Sequence, residues 1–225
     1  MKKYPFISKP VIRILNFLGA ELVEEPFNYD FDESLLKPAK KIRFLSGGWH
    51  SEKYFDTIKN LVFETYSFSV KDYDETLSLL LKEIKSLNSV SIHVRRGDYL
   101  KDINMNTYGC VCTIEYFTCA IEYISKLVKN THFFIFSNDS LWVEQNFKYD
   151  NVTIVNCFKG IDSWKDMYLM SNCQHHIISN STFSWWGAWL NKSNTKIVIT
   201  PKFFINNIET KDLYPTQWIK LTDYN

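Results

Sequence analysis

No proline interrupts residues 39–200, whereas five of the six prolines in the chain lie at positions 5, 10, 26, 38 and 201. Proline fixes φ and removes a backbone donor, so a long stretch without it is where uninterrupted helices and strands can form. Two hydrophobic periods alternate along it. Leu77, Leu80, Leu81, Ile84 and Leu87 recur at helical spacing behind Asp74, which is placed to cap the first turn. Val90 to Val94 then reads as a buried strand, and Thr113 opens a second helix with Phe117, Ile121, Ile124 and Val128 on one face. The same reading gives strands at 132–136, 152–156, 175–179 and 196–200, with helices near 140–147, 162–172 and 181–190. Strands separated by helices need crossover connections, and these build a parallel sheet whose ligands bind at its carboxyl edge. The expectation is an α/β chain with a doubly wound, Rossmann-like sheet and a site just after residues 94, 136, 156 and 179. Residues 1–73 predict only short helices. The expected division is an N-terminal region over 1–74, the sheet domain over 75–205 and a C-terminal extension over 206–225.

Charge narrows the partners. The 225 residues carry 26 basic and 25 acidic side chains, which excludes nucleic-acid binding through bulk positive charge. Only four of the basic residues are arginines, at positions 13, 43, 95 and 96, so an arginine that remains points to a need for the planar guanidinium fork. The five cysteines are an odd number without a CxxC pair and read as reduced, mostly buried thiols rather than metal ligands. Lys2 and Lys3 precede a short apolar run broken by Arg13 and Asn16, which does not read as an export signal, so a cytoplasmic location is expected. On that basis the four sequons, at Asn138, Asn151, Asn180 and Asn191, are expected to be unmodified.

Seven glycines leave neither a dinucleotide fingerprint nor a Walker loop, so a bound phosphate needs another cradle. His93-Val94-Arg95-Arg96-Gly97-Asp98-Tyr99 lies where the first strand of the sheet runs out. Alternation puts His93 and Arg95 on one face, and the Arg95 fork suits a diphosphate; the alternative is an ion pair between Arg95 and Asp98. Asn180-Ser181-Thr182 follows a strand and starts a helix, which makes it either a second anion cradle or a plain cap. Asp166 either faces solvent or accepts a paired donor edge such as N1–H and N2–H of guanine. Asp72-Tyr73-Asp74 resembles a metal-chelating DxD, but capping by Asp74 is the better reading. His175-His176 reads as packing, and Gly187 in the aromatic run 183–190 as a site of close helix approach.

Three ordered segments, HVRRGDY from His93, FSNDSLW from Phe136 and DMYLMSNCQHHIISNSTFSWWGAWLN from Asp166, resemble the motifs of the α-1,2-fucosyltransferases. Ser51-Glu52-Lys53-Tyr54-Phe55 is similar to a further family segment, and the resemblance spans roughly residues 40–205. It implies a two-domain GT-B architecture, GDP-β-L-fucose as donor, inverting transfer to the 2-hydroxyl of a galactose-type acceptor, and no metal or other cofactor. By the matched positions Arg95 would hold the diphosphate, His93 and Asp166 would lie against guanine and ribose, and Arg96 and Asp139 would also belong to the donor-binding set. Asn180, Ser181, Thr182 and Phe183 would complete the cradle, and Asp98, Asp139 or Glu144 would assist the acceptor hydroxyl. A galactose-terminated glycan or lipid-linked oligosaccharide is the implied acceptor, with peripheral association at the inner membrane face. The family's GGLGNQMFQ-like loop does not appear before residue 40, so a reduced N-terminal domain is expected. The alternative is a catalytically impaired nucleotide-sugar-binding remnant of the same fold.

Overall fold

A computed structural model describes residues 17–38, 42–68, 74–222 and 224. The chain forms two compact units, residues 1–58 with 210–215 and residues 59–209 with 216–225. In the first, β1 (Glu21–Glu24) and β2 (Arg43–Ser46) pair in parallel with Glu21 opposite Arg43, where the sequence predicts only short helices. The Asp212 carboxylate accepts a hydrogen bond from the Phe31 N–H (3.1 Å) and pairs with Lys53 (2.6 Å), which ties residues 210–215 into this unit.

The second unit begins with α1 (Lys59–Thr65) and α2 (Glu75–Ser86). A six-stranded parallel sheet follows, from β3 (Asn88–Val94), β4 (Thr131–Ser137), β5 (Val152–Val155), β6 (His175–Ile177), β7 (Val198–Thr200) and β8 (Ile219–Lys220). Its order, β5-β4-β3-β6-β7-β8, grows one way from β3 and then jumps back to the other side with β6. That reversal is the doubly wound arrangement, and it leaves a crevice where β3 and β6 end. The short turn α3 (Asp102–Asn104) and the helices α4 (Ile114–Leu127), α5 (Ser140–Asn146), α6 (Trp164–Asn172) and α7 (Thr182–Trp189) make the connections.

Two outcomes differ from the sequence-based division. Helix α1 belongs with the sheet unit rather than with the N-terminal region, because Phe63 stacks on Trp189 at 4.1 Å between ring centroids. Residues 216–225 are no extension either, since β8 adds a sixth strand with Ile219 opposite Ile199.

Strand alternation sorts the core into two layers. Val90, Ile92, Val94, Phe133 and Ile135 face one cluster with Phe117, Ile121 and Ile124 of α4. Phe134, Phe136 and Val155 face the other with Leu77, Leu81 and Ile84 of α2 and Leu169 and Met170 of α6. Each such side chain contributes about 1.5–3 kcal/mol by leaving water. Gly187 lets α7 approach α6, because a Cβ there would lie 2.6 Å from Met170 Cε and 3.2 Å from its Cβ.

Strand β3 departs from this pattern on its second face, where Ser89, Ser91 and His93 are all buried. Each polar group has a partner on the β6 side. Ser89 Oγ accepts the Gln174 N–H (3.2 Å), Ser91 Oγ lies 2.8 Å from His176 Nδ1, and His93 Nδ1 lies 3.1 Å from Ser179 Oγ. Asn191 Oδ1 accepts the Ser193 N–H, which leaves the amide nitrogen to donate to His176 Nε2 (2.8 Å) and assigns the His176 proton to Nδ1, facing Ser91. Buried polar groups are tolerated here because they are paired.

The cysteines are free, but only Cys173 is buried, while Cys110 and Cys157 are exposed, so the expectation of mostly buried thiols is corrected.

Candidate functional site

A cleft of about 410 Å³ opens at the carboxyl edge of the sheet. His93 and Arg95 reach it from the end of β3, Phe136, Ser137 and Asn138 from β4, Asn156 and Phe158 from the loop after β5, Asp166 from α6 and Phe183 from α7. Three residues singled out from sequence for donor binding, His93, Arg95 and Asp166, thus meet on one surface. Phe183 joins them, its ring centroid 5.3 Å from that of His93.

Burial pushes the His93 imidazole down to about 3, with the Arg95 charge acting in the same direction, so at neutral pH it is an uncharged hydrogen-bonding group. Arg95 lies over the Tyr99 ring at 5.4 Å. Its Nη2 is 2.7 Å from Asp98 Oδ1, so the ion-pair alternative is present in the fold. The contact lacks the alignment of a hydrogen bond, and Arg95 Nε and Asp98 Oδ1 are both buried without a hydrogen-bond partner. Asp166 Oδ1 is likewise buried and unpartnered, and burial pushes its carboxyl up to about 7. A buried polar atom without a partner costs about 1–3 kcal/mol. An Arg95 Nε–H and an Asp166 carboxyl oxygen left without partners beside one cleft leave free energy that a ligand carrying an anion and a pair of donors would recover.

The other predicted site residues are committed elsewhere. Arg96 Nε donates to Asp139 Oδ2 (3.1 Å), and its guanidinium lies 4.1 Å over the Trp142 ring. Asp139 also caps α5 by accepting the Trp142 N–H (3.2 Å). Asn180 donates to the Tyr108 and Phe204 carbonyls (3.1 and 3.0 Å) and accepts from Cys112 Sγ, so its amide is occupied by structure. Ser181 is the buried N-cap residue of α7, Thr182 is exposed, and neither lines the cleft. Glu144 is exposed on α5.

Asp74 caps α2 through the Leu77 N–H (2.7 Å) and pairs with Lys165 (2.7 Å), as the capping reading expects. Asp72 lies outside the described residues. His175 Nδ1 accepts the Ile197 N–H, a packing role like that of His176.

Sequence reasoning missed the cleft walls Asn138, Asn156 and Phe158. Asn138 Oδ1 accepts the Arg96 N–H (3.0 Å), and a Cβ on Gly97 would meet Asn138 Nδ2 at 2.3 Å, so the bare Cα of Gly97 leaves room for Asn138 in this position. The available signal was their place just past strand ends, where doubly wound folds build sites.

A parallel sheet with a polar cleft at its switch point defines a Rossmann-like α/β protein. The family model of glycosyl transferase family 11 matches residues 26–222, and the chain belongs to this family. It is 35% identical over 179 residues to an alpha-1,2-colitosyltransferase of Escherichia coli, covering 78% of this chain and 61% of that protein. It is 40% identical over 139 residues to the O-antigen biosynthesis glycosyltransferase WbnK of Escherichia coli, with 61% and 46% covered. Against galactoside alpha-(1,2)-fucosyltransferase 1 of Homo sapiens it is 31% identical over 108 residues, 47% of this chain and 30% of that one. The chain therefore spans less than two thirds of the length of these relatives. No helix among the described residues is long and apolar enough to cross a membrane.

Proposed function

We propose that the protein transfers L-fucose from GDP-β-L-fucose to the 2-hydroxyl of a galactose-type acceptor with inversion. The observation that carries this reading is the pair of buried, unpartnered groups on one cleft, Arg95 Nε and Asp166 Oδ1. Arg95 suits a diphosphate, to which a guanidinium binds through two parallel N–H bonds. Asp166 suits guanine, whose N1–H and N2–H can both donate to one carboxylate. His93 and Phe183 supply a neutral polar edge and an aromatic face between them.

In this mechanism the glycosidic C1–O bond breaks ahead of full attack, and the leaving β-phosphate gains negative charge. Arg95 meets that charge where it develops, which lowers the barrier without a metal. Asp98 is the carboxylate nearest Arg95 and is the group that takes the acceptor proton. The sheet unit is the donor half of a GT-B architecture. The acceptor is a galactose-terminated glycan or lipid-linked oligosaccharide met at the inner face of the membrane by a cytoplasmic protein.

The similarity to a colitosyltransferase supports a second donor sugar, colitose in place of fucose. Incubation with GDP-fucose or GDP-colitose, a panel of β-galactosides and mass spectrometry of the products separates the two. Nucleotide binding without product from either donor would favour the binding remnant. Loss of turnover in EDTA would contradict the metal-independent step.

A further inference from the structure

We infer that Tyr99 is a positioning residue, a brace that ties the Arg95 guanidinium to the backbone just before α7 and so holds its fork in place for a diphosphate. The inference rests on the donor reading above. Tyr99 sits in a single helical turn, Gly97–Leu100, directly after the strand end that carries Arg95. Its ring lies beneath the Arg95 guanidinium at 5.4 Å and stacks on Tyr108 at 5.2 Å with 28° between planes. Its hydroxyl donates to the Asn180 carbonyl oxygen at 3.1 Å, one residue before the N-cap of α7.

The anchor at the far end is rigid. The Asn180 side chain is bound on three sides, to the Tyr108 and Phe204 carbonyls and to Cys112 Sγ, so the carbonyl that receives Tyr99 cannot drift. The loop that brings Tyr108 there contains a turn of π-helix, Met105–Gly109, a rare form that recurs at functional sites. Gly109 permits its approach, because a Cβ at that position would lie 2.6 Å from the Tyr99 carbonyl oxygen. Asn206 N–H donates to Thr107 O (2.9 Å) and pins the loop from its other side. Burial pushes the Tyr99 phenol up to about 12, so it remains a neutral donor across the working pH range. One ring therefore lies against the strand-end cation while its hydroxyl holds the backbone just before the N-cap of α7.

The test compares guanosine, which reaches only the base end of the cleft, with GDP, by calorimetry on the whole chain and on Tyr99→Phe and Tyr99→Leu. Tyr99→Phe keeps the ring and removes the bond to Asn180; Tyr99→Leu removes both. The expected result is unchanged guanosine affinity, which also reports that each variant is folded. The preference for GDP over guanosine should fall about three- to tenfold in Tyr99→Phe, the worth of one hydrogen bond, and further in Tyr99→Leu. A preference equal to wild type in both variants overturns the brace, including the case in which both affinities fall together. If the wild-type chain binds neither guanosine nor GDP, the donor reading itself fails and the brace with it.

Discussion

His93 Nδ1 lies 3.1 Å from Ser179 Oγ, joining the ends of β3 and β6 across the point where the strand order reverses. This contact is the last of a polar seam that begins with Ser89 and passes through Ser91 and His176. A slip of β3 against β6 would turn its core side chains to the wrong face and also part these polar pairs. The seam therefore helps set the register of β3 against β6 and with it the place of Arg95 two residues on.

Arg95→Lys should weaken GDP binding about ten- to a hundredfold by calorimetry, with little change in melting temperature. Lysine keeps the charge and the ion pair with Asp98 but has no Nε–H and no fork, and hydrogen bonds to charged groups are worth about 1.5–3 kcal/mol. Unchanged GDP affinity would falsify the diphosphate assignment.

Asp166 should make guanosine binding pH-dependent. Its carboxyl is pushed up to about 7 by burial, and a guanine edge that only donates needs it ionised. Guanosine affinity should therefore rise as pH climbs from 5 to 7 and level off above, and Asp166→Asn should remove both the slope and most of the affinity. Stability runs the other way. A carboxyl raised above its ordinary 3.8 favours folding fully below that value and loses the contribution as pH rises through 7. Melting temperatures of Asp166→Asn should exceed wild type at pH 8 and approach it at pH 5. Equal melting temperatures at pH 8 would contradict the burial of this group.

How much of this could be read from the sequence follows from which interactions are local. Asp74 as the cap of α2, the strand through Val94 and the close approach at Gly187 depend on a few neighbouring residues, and each appears where its pattern places it. His93, Arg95 and Asp166, which line one cleft, were singled out because strand ends and motifs are also local. The partners of Arg96, Asp139 and Asn180 were not, because those contacts join residues far apart in the chain, as Asn180 does with Tyr108 and Phe204. Strand β8 was missed because a two-residue strand at a sheet edge carries no periodicity of its own.

The two buried imidazoles should govern acid stability. His93 and His176 are both held neutral by burial, His93 down to about 3 and His176 well below the ordinary 6.5. The unfolded chain takes up protons at these groups first, so their contribution is present above 6.5 and is lost as pH falls toward the folded values. Thermal melts between pH 7 and pH 4 should show a steep decline in wild type and a shallower one in His93→Gln. His176→Ala should cost about 2–4 kcal/mol in urea at pH 7, because it opens a cavity in the core and takes a buried hydrogen-bond partner from Ser91 and one of two from the Asn191 amide nitrogen. A pH profile of His93→Gln parallel to wild type would overturn the assignment of the acid limb.

Asp139 separates structure from ligand binding. Its carboxylate caps α5 through Trp142 N–H and holds Arg96 Nε, and it does not line the cleft. Asp139→Ala should therefore lower stability by about 1–2 kcal/mol, the usual worth of a cap, while GDP affinity changes less than about threefold. Asp139→Asn keeps an acceptor for the cap and loses the charge toward Arg96, so it should recover most of that stability, because a partly exposed ion pair contributes little. Urea denaturation of both variants with parallel GDP titrations decides the matter. A large loss of affinity in a stable Asp139→Asn would return this carboxylate to the donor site, with Arg96 as the cation it holds in place.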